Sequence, residues 1–119
     1  MTHFDKAPIF SWYRDHGGLI YTSGHAAVDV GTRIMERGDL LHEAQVTLEN
    51  LRRTPESAGS GLDKVLKVTV YLTDMSYYAA FNHLYARYFP GPKVPARTCV
   101  EVSRLPYNFQ IEIEAIAHT

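Results

Sequence analysis

The clearest structural signal in this chain is the stretch Val65–Thr73, which reads VLKVTVYLT. Apolar and polar side chains alternate along it and β-branched residues are frequent, a pattern typical of a strand with one buried face. The alternation predicts an apolar face with Leu66, Val68, Val70 and Leu72, and a polar face with Lys67, Thr69 and Tyr71. We therefore expect this strand to lie inside a sheet and to determine which side of the sheet is covered.

Helical patterns lie on both sides of this strand. Asp39 is a suitable N-cap for a first helix, whose apolar residues recur at helical spacing until about Ala58. Pro55 lies inside this span, and we expect it to kink the helix. Asp74 is a suitable cap for a second helix, which should end by Pro90. One stripe of this second helix is expected to carry Tyr78, Phe81, Tyr85 and Tyr88, and this stripe is most simply part of the core.

The other strands are weaker signals. Phe10–Asp15 and Leu19–Thr22 are rich in β-forming residues and meet at the turn Gly17-Gly18. Near the other end, Thr98–Arg104 and Phe109–Ala117 alternate, and the short join between them predicts an antiparallel hairpin. The pattern also predicts a turn at Asp29–Thr32 and a short strand near Ile34.

The order of these elements is strand, strand, helix, strand, helix, strand, strand, which predicts the α+β class. Two helices can cover only one face of such a sheet. The open face would keep some apolar side chains, for which the candidates are Tyr71, Cys99, Val100 and Ile116. A partly apolar open face is typical of a surface buried against copies of the same chain, so we expect a homo-oligomer.

The composition limits the classes of partner. The 119 residues suit one domain spanning residues 1–119. A formal net charge of −1 leaves no basic excess for a phosphate backbone, so nucleic acid is not expected as the main partner. No apolar run reaches the length of a membrane span, and Met1–Lys6 lacks the pattern of a signal peptide. Cys99 is the only cysteine, which favours a reducing compartment such as the cytoplasm.

Several segments together resemble a known family. They are Ser23-Gly24 after a β-rich run, Ala58–Val65, Lys67–Met75, Asn82, Pro95–Val102, Arg104-Leu105-Pro106 and Ile111–Ala117. These segments are similar to those of the RidA (YjgF) family of enamine/imine deaminases. The resemblance implies a chorismate-mutase-like α+β fold and a homotrimer with active sites between neighbouring subunits. The implied reaction is hydrolysis of 2-enamine or 2-imine acids, such as 2-aminoacrylate, to 2-keto acids and ammonia, with no metal or organic cofactor.

The resemblance also implies roles for individual residues. Arg97 matches the arginine that binds the substrate carboxylate, and Glu112 matches the glutamate that orients or activates water. Cys99 and Asn82 match positions that line the pocket. Gly24 matches a glycine that lets the backbone approach the ligand.

Two positions near the implied pocket depart from the family pattern. Phe10 stands where the family usually has a tyrosine, so that hydroxyl is lost. His25 stands where the family usually has a glutamine. Both changes touch the pocket, so the side chain of the preferred substrate stays open, whereas the arginine is retained.

The residue types suit this chemistry, and each also has a purely structural explanation. A guanidinium can clamp a carboxylate at two points, and a partly desolvated carboxylate can hold water and move its proton. On the structural side, Arg97 can pair with Glu101, and Cys99 can be a plain core residue. The other structural alternatives are a solvated acidic face for Glu112 with Gln110 and Glu114, the polar flank of a helix for Asn82, and a loop position for His25.

Three functions remain open from the sequence. The first is the deaminase, and the second is a non-enzymatic trimer that binds small carboxylates or acts like a chaperone, which the lost hydroxyl at Phe10 favours. The third is an endoribonuclease, a label carried by some relatives, which the near-neutral charge disfavours. The six histidines do not lie at metal-ligand spacing, so no metal site is expected.

Overall fold

The computed structural model describes residues 9–28 and 34–119. Within these ranges the chain forms a sheet of five strands and two α-helices. In chain order they are β1 (Tyr13–His16), β2 (Leu19–Thr22), α1 (Leu40–Ser57), β3 (Val65–Leu72), α2 (Tyr78–Tyr88), β4 (Ala96–Glu101) and β5 (Ile111–His118). Three short 3₁₀ helices lie at Leu62–Lys64, Met75–Tyr77 and Pro106–Asn108.

The sheet is mixed and has the strand order β1-β2-β5-β3-β4. β3 and β4 are parallel, and the other neighbours are antiparallel. Both helices pack on one face, because Leu48 of α1 and Phe81 of α2 share one core with Val68 and Val70 of β3. Full burial of each such side chain contributes about 1.5–3 kcal/mol to folding. The predicted α+β class, with two helices on one face of a mixed sheet, is confirmed.

The opposite face of the sheet is open, as predicted. Along β5, alternate side chains are buried beneath the helices, whereas Glu112, Glu114 and Ile116 between them are only half-buried. Tyr71 pairs with Glu112 and Val100 pairs with Tyr71, so both also lie on this open face. Cys99 does not, because it pairs with Val70 and packs against the core, and its predicted place on the open face is therefore wrong.

The predicted hairpin of the last two strands is wrong. β4 and β5 do not pair with each other, because β3 lies between them. Helix α2 returns the chain to the starting end of β3, so that β4 pairs in parallel on one edge and leaves the other edge for β5. The long connection turns at Tyr107 and Asn108, whose φ angles of 58° and 59° lie in the left-handed region.

The polar and apolar alternation of β3 is interrupted at its start. The pairing of β3 with β5 shifts register between Val65 and Lys67, which is the signature of a β-bulge. As a result Val65 is buried and Leu66 is 48% exposed, so the predicted inward place of Leu66 is wrong. From Lys67 onwards the predicted alternation holds.

Helix α1 begins and ends close to its predicted limits. The Asp39 carboxylate accepts a hydrogen bond from the backbone N–H of His42 at 2.8 Å, which confirms the N-cap. The helix continues past Pro55 and ends at Ser57. The turn that follows contains Gly59, whose φ of +81° is in the left-handed region that glycine tolerates best.

Helix α2 begins later than its predicted cap. Asp74 caps the 3₁₀ turn Met75–Tyr77 that leads into the helix, and its carboxylate accepts from the N–H of Ser76 at 2.9 Å. Phe81 and Tyr85 are buried as predicted, but Tyr78 at the first position of α2 is 40% exposed. The predicted buried stripe is thus wrong for Tyr78.

The N-terminal third differs from the sequence prediction in smaller ways. The first strand spans Tyr13–His16, so Phe10 precedes it and is 53% exposed. The predicted turn at Asp29–Thr32 lies outside the described residues, and beside it Met35 forms an isolated bridge with Val28. None of the helices in the described ranges is long and apolar enough to cross a membrane.

Candidate active site

Arg97 lies at the edge strand β4 and faces helix α2. It pairs with Val68, whose side chain is buried beneath the helices, and this register turns Arg97 towards α2. Its Nη1 donates to Asn82 Oδ1 at 2.8 Å, and its Nη2 donates to the Tyr78 hydroxyl at 3.1 Å. The guanidinium carbon lies 4.8 Å from the ring centre of Tyr85 and 5.6 Å from that of Tyr78. We call Tyr78, Asn82, Tyr85, Arg97 and Cys99 the arginine cluster.

The positive charge of Arg97 has no acidic partner in residues 9–28 and 34–119. The ion pairs found there join Arg52 to Glu49 and to Glu56. Glu101, the alternative partner, instead accepts a hydrogen bond from the backbone N–H of Met75 at 2.8 Å. Aromatic rings and a neutral amide hold the guanidinium in place without neutralising it, so it remains available to an anion.

Tyr85 and Cys99 form the buried side of the arginine cluster. Burial raises the pKa of Tyr85 to about 12, and its hydroxyl has no hydrogen-bond partner among the described residues. Burial also raises the pKa of the Cys99 thiol, an effect that the charge of Arg97 partly opposes. A neutral, half-buried thiol is a poor nucleophile, so Cys99 suits a contact role.

Glu112 lies on the open face of β5, directly against Gly24. A Cβ added at Gly24 would lie 2.5 Å from Glu112 Oε2, so a larger residue there would displace this carboxylate from its present position. Backbone hydrogen bonds between His25 and Ile113 fix this approach, at 2.7 Å and 2.9 Å. We call Gly24 and Glu112 the glutamate cluster.

The pKa of Glu112 is raised above that of an ordinary glutamate. Burial is the larger cause, and the negative charge of Glu114 adds to it. Glu114 accepts a hydrogen bond from the Tyr71 hydroxyl at 3.1 Å, whereas Glu112 has no such donor in the described part of the chain. A half-buried carboxylate with free lone pairs can hold a water molecule and accept its proton.

His25 is buried against helix α1 rather than exposed in a loop. Its Nδ1 lies 2.8 Å from the Ser23 carbonyl oxygen, and its Nε2 lies 2.6 Å from Thr54 Oγ1 on α1. Burial lowers its pKa, so the imidazole is neutral at pH 7. Its ring contacts Trp12 at 5.3 Å between centres, and Phe10 packs edge-on against Trp12 at 6.0 Å.

The structure does not bring the two clusters together within one copy. Arg97 pairs with Val68 on the helix-covered face, whereas Glu112 pairs with Tyr71 on the open face. A hollow of about 310 Å³ between α1 and α2, with His42, His83 and Arg87 in its wall, includes neither of them. A site that uses both Arg97 and Glu112 therefore needs a second copy of the chain.

Comparison with known proteins identifies the family. The family model described as Endoribonuclease L-PSP matches residues 4–119. A RutC family protein of Pyrococcus horikoshii is 45% identical over 102 residues, which are 86% of this chain and 80% of that protein. The chain belongs to the RidA (YjgF) family.

Solved structures of RidA relatives have the same fold. RidA from the Antarctic bacterium Psychrobacter sp. has a TM-score of 0.88 and 31% identity, and the match covers 98% of this chain and 94% of that one. Escherichia coli TdcF with bound serine has a TM-score of 0.86 and 32% identity, with 98% and 92% of the two chains covered. The match therefore extends over almost the whole of each structure.

Sequence reasoning missed two members of the arginine cluster. Tyr78 and Tyr85 lie at helical spacing with Phe81, which is the ordinary pattern of a core stripe. Only the pairing of β4 beside β3 shows that these rings flank a charged group. The periodicity carried no signal that could have separated this role from simple burial.

Proposed function

We propose that this chain is a hydrolytic deaminase of 2-enamine and 2-imine acids, such as 2-aminoacrylate, which yields 2-keto acids and ammonia. The observation that carries the proposal is Arg97, whose guanidinium is held in place by side chains of α2 and has no acidic partner among the described residues. In the imine form, which an enamine reaches when a proton moves from its nitrogen to its terminal carbon, substrates of this class carry a carboxylate next to the C=N carbon. A clamp on the carboxylate therefore also positions the reacting carbon.

In the proposed reaction, Glu112 binds the attacking water molecule and transfers its proton. The carboxylate takes a proton as the water oxygen forms a bond to the C=N carbon, and it returns the proton to the nitrogen. Glu112 then carries the proton of the new hydroxyl to the amine nitrogen, the C–N bond breaks as the C=O bond forms, and ammonia leaves the 2-keto acid. The raised pKa of Glu112 supports this role, because a base that must also act as an acid works best with a pKa nearer to neutrality.

We further propose that the site forms between copies of the chain in a homotrimer. The opposite placement of Arg97 and Glu112 supports this assembly, as does the partly apolar open face with Tyr21 and Val100 exposed. One copy would supply the arginine cluster and its neighbour the glutamate cluster. The cytoplasm is the proposed compartment, in keeping with the single cysteine.

The test is the release of keto acid from freshly generated 2-aminoacrylate. We expect Arg97→Ala to lower kcat/KM by about 100-fold or more, because the substrate loses a charge-assisted bidentate contact. Arg87→Ala is the matched control, since Arg87 is exposed on α2 and does not belong to either cluster. Equal rates for the Arg97 variant and the wild type, with the oligomer intact, would refute the proposal.

A second candidate is a non-enzymatic protein that binds small carboxylates through the same cleft. The phenyl ring of Phe10, which offers no hydroxyl to a ligand, favours it. Binding of a 2-keto acid without turnover of 2-aminoacrylate would select this candidate. The family description names an endoribonuclease. If this chain had that activity, its RNA cleavage would persist through stringent purification.

A further inference from the structure

We infer that the Tyr78 hydroxyl is a positioning group that leaves Arg97 only one edge for the substrate carboxylate. The inference rests on the proposed function and goes beyond it, because it states how the clamp is oriented. It concerns the chemical class of planar carboxylates, which an arginine binds through two parallel N–H groups.

The geometry of arginine makes Nη2 the decisive nitrogen. A guanidinium has five N–H donors in a rigid fork. Its end-on edge uses Nη1 and Nη2, and its side-on edge uses Nε and Nη2, so every bidentate contact needs an N–H of Nη2. One of the two N–H groups on Nη2 is already donated to the Tyr78 hydroxyl at 3.1 Å.

Helix α2 approaches Arg97 with two acceptors at once. Asn82 Oδ1 accepts from Nη1 and the Tyr78 hydroxyl accepts from Nη2, and these residues lie one helical turn apart. Two acceptors from the same helix face match the end-on edge of the fork. The side-on edge, with Nε and the second N–H of Nη2, is then left for the substrate.

The arginine cluster is partly open to solvent. Tyr78 is 40% exposed and Arg97 is half-buried, whereas Tyr85 beneath them is buried. Because the Tyr78 ring also lies 5.6 Å from the guanidinium carbon, its hydroxyl is held near Nη2 by two contacts. Removal of the hydroxyl alone would free the Nη2 side of the end-on edge, where a carboxylate that displaces the Asn82 amide from Nη1 would bind in a second, unproductive orientation.

The experiment compares Tyr78→Phe with Tyr88→Phe. Tyr88 is on the same helix, and its hydroxyl donates to Glu49 at 2.7 Å and does not contact Arg97. We expect Tyr78→Phe to lower kcat about tenfold, while the Kd of 2-oxobutanoate changes less than about threefold. Tyr88→Phe should leave both values near the wild type. Unchanged kcat in Tyr78→Phe, or equal loss of kcat and affinity, would overturn the inference.

A crystal structure with 2-oxobutanoate supplies a readout that does not depend on turnover. We expect the carboxylate on Nε and Nη2 of Arg97 in the wild type. A carboxylate on Nη1 and Nη2, with Tyr78 displaced, or no carboxylate on Arg97 at all, would refute the inference. A wild type that binds side-on but releases no keto acid from 2-aminoacrylate would refute the proposed deaminase and leave the inference standing.

Discussion

Arg97 shows how much of a residue's role depends on its immediate neighbours. The resemblance to the RidA family predicted a carboxylate-binding arginine, and that role stays a prediction. The structure adds that Asn82 and Tyr78 hold the guanidinium and that Glu101 does not. None of these contacts follows from the local sequence, because Asn82 and Tyr78 lie 15 and 19 residues away along the chain.

His25 provides a residue-scale prediction about stability. Burial lowers its pKa, so below an ordinary value of about 6.5 the unfolded chain binds a proton that the folded chain does not. The stability present above that value is therefore lost as the pH falls towards the folded-state pKa. Among the described residues, the groups facing the imidazole are the Ser23 carbonyl, the Thr54 hydroxyl and the Trp12 ring, and none of them carries a charge.

His25→Gln removes this titration and keeps an amide that can replace both hydrogen bonds. We expect the wild type to lose up to about 1.4 kcal/mol per pH unit more than the variant below pH 6.5. The free energy of unfolding from urea titrations between pH 7.5 and 5 is the measurement. Parallel pH curves for the two proteins would contradict the prediction.

At the scale of elements, side chains alternate between the two faces of the sheet, and the register of each strand decides which face a residue occupies. The strand β3 was recognisable from its alternation, and so was the charged face of β5. The bulge between Val65 and Lys67 was not, because a bulge arises from the pairing of two strands rather than from either strand alone. The same dependence on pairing placed Cys99 beneath the helices.

The contact between the end of β2 and β5 carries an element-scale prediction. Gly24→Ala should displace the Glu112 carboxylate, since the added Cβ would lie 2.5 Å from Oε2. We expect kcat for 2-aminoacrylate to fall about tenfold, with little change in the Kd of 2-oxobutanoate. Steady-state kinetics and calorimetric titration measure the two quantities.

The control for this prediction is a double-mutant cycle with Glu112→Ala. If Gly24 acts by leaving room for the carboxylate, the double variant should be no slower than Glu112→Ala alone. Additive losses would mean that Gly24 affects the reaction by another route.

At the scale of the whole molecule, one sheet separates the two clusters. The helix-covered face holds Arg97 and the open face holds Glu112. Neither α2 nor the turn at Gly24 can bring its cluster across five paired strands. The shared site between copies therefore follows from the sheet if both residues act on one substrate.

Mixed oligomers test this shared site. Arg97→Ala and Glu112→Gln should each be nearly inactive alone. Co-expressed with different affinity tags, they should form trimers in which about one cleft in three has both wild-type residues. We expect about a third of wild-type activity in the doubly purified fraction, and mixed trimers as inactive as their parents would place the site within one chain.

The sequence alone predicted the order of strands and helices, the caps at Asp39 and Asp74, and the alternating faces of β3 and β5. It could do so because short-range backbone and side-chain preferences produce these features. Only the tertiary structure decided three other features. They are the place of β3 between β4 and β5, the exposure of Leu66 and the hydrogen bond from Arg97 to Asn82 of α2. These features depend on which distant segments pair with each other in the sheet. The packing of the whole core determines this strand pairing, and no local stretch of sequence encodes it.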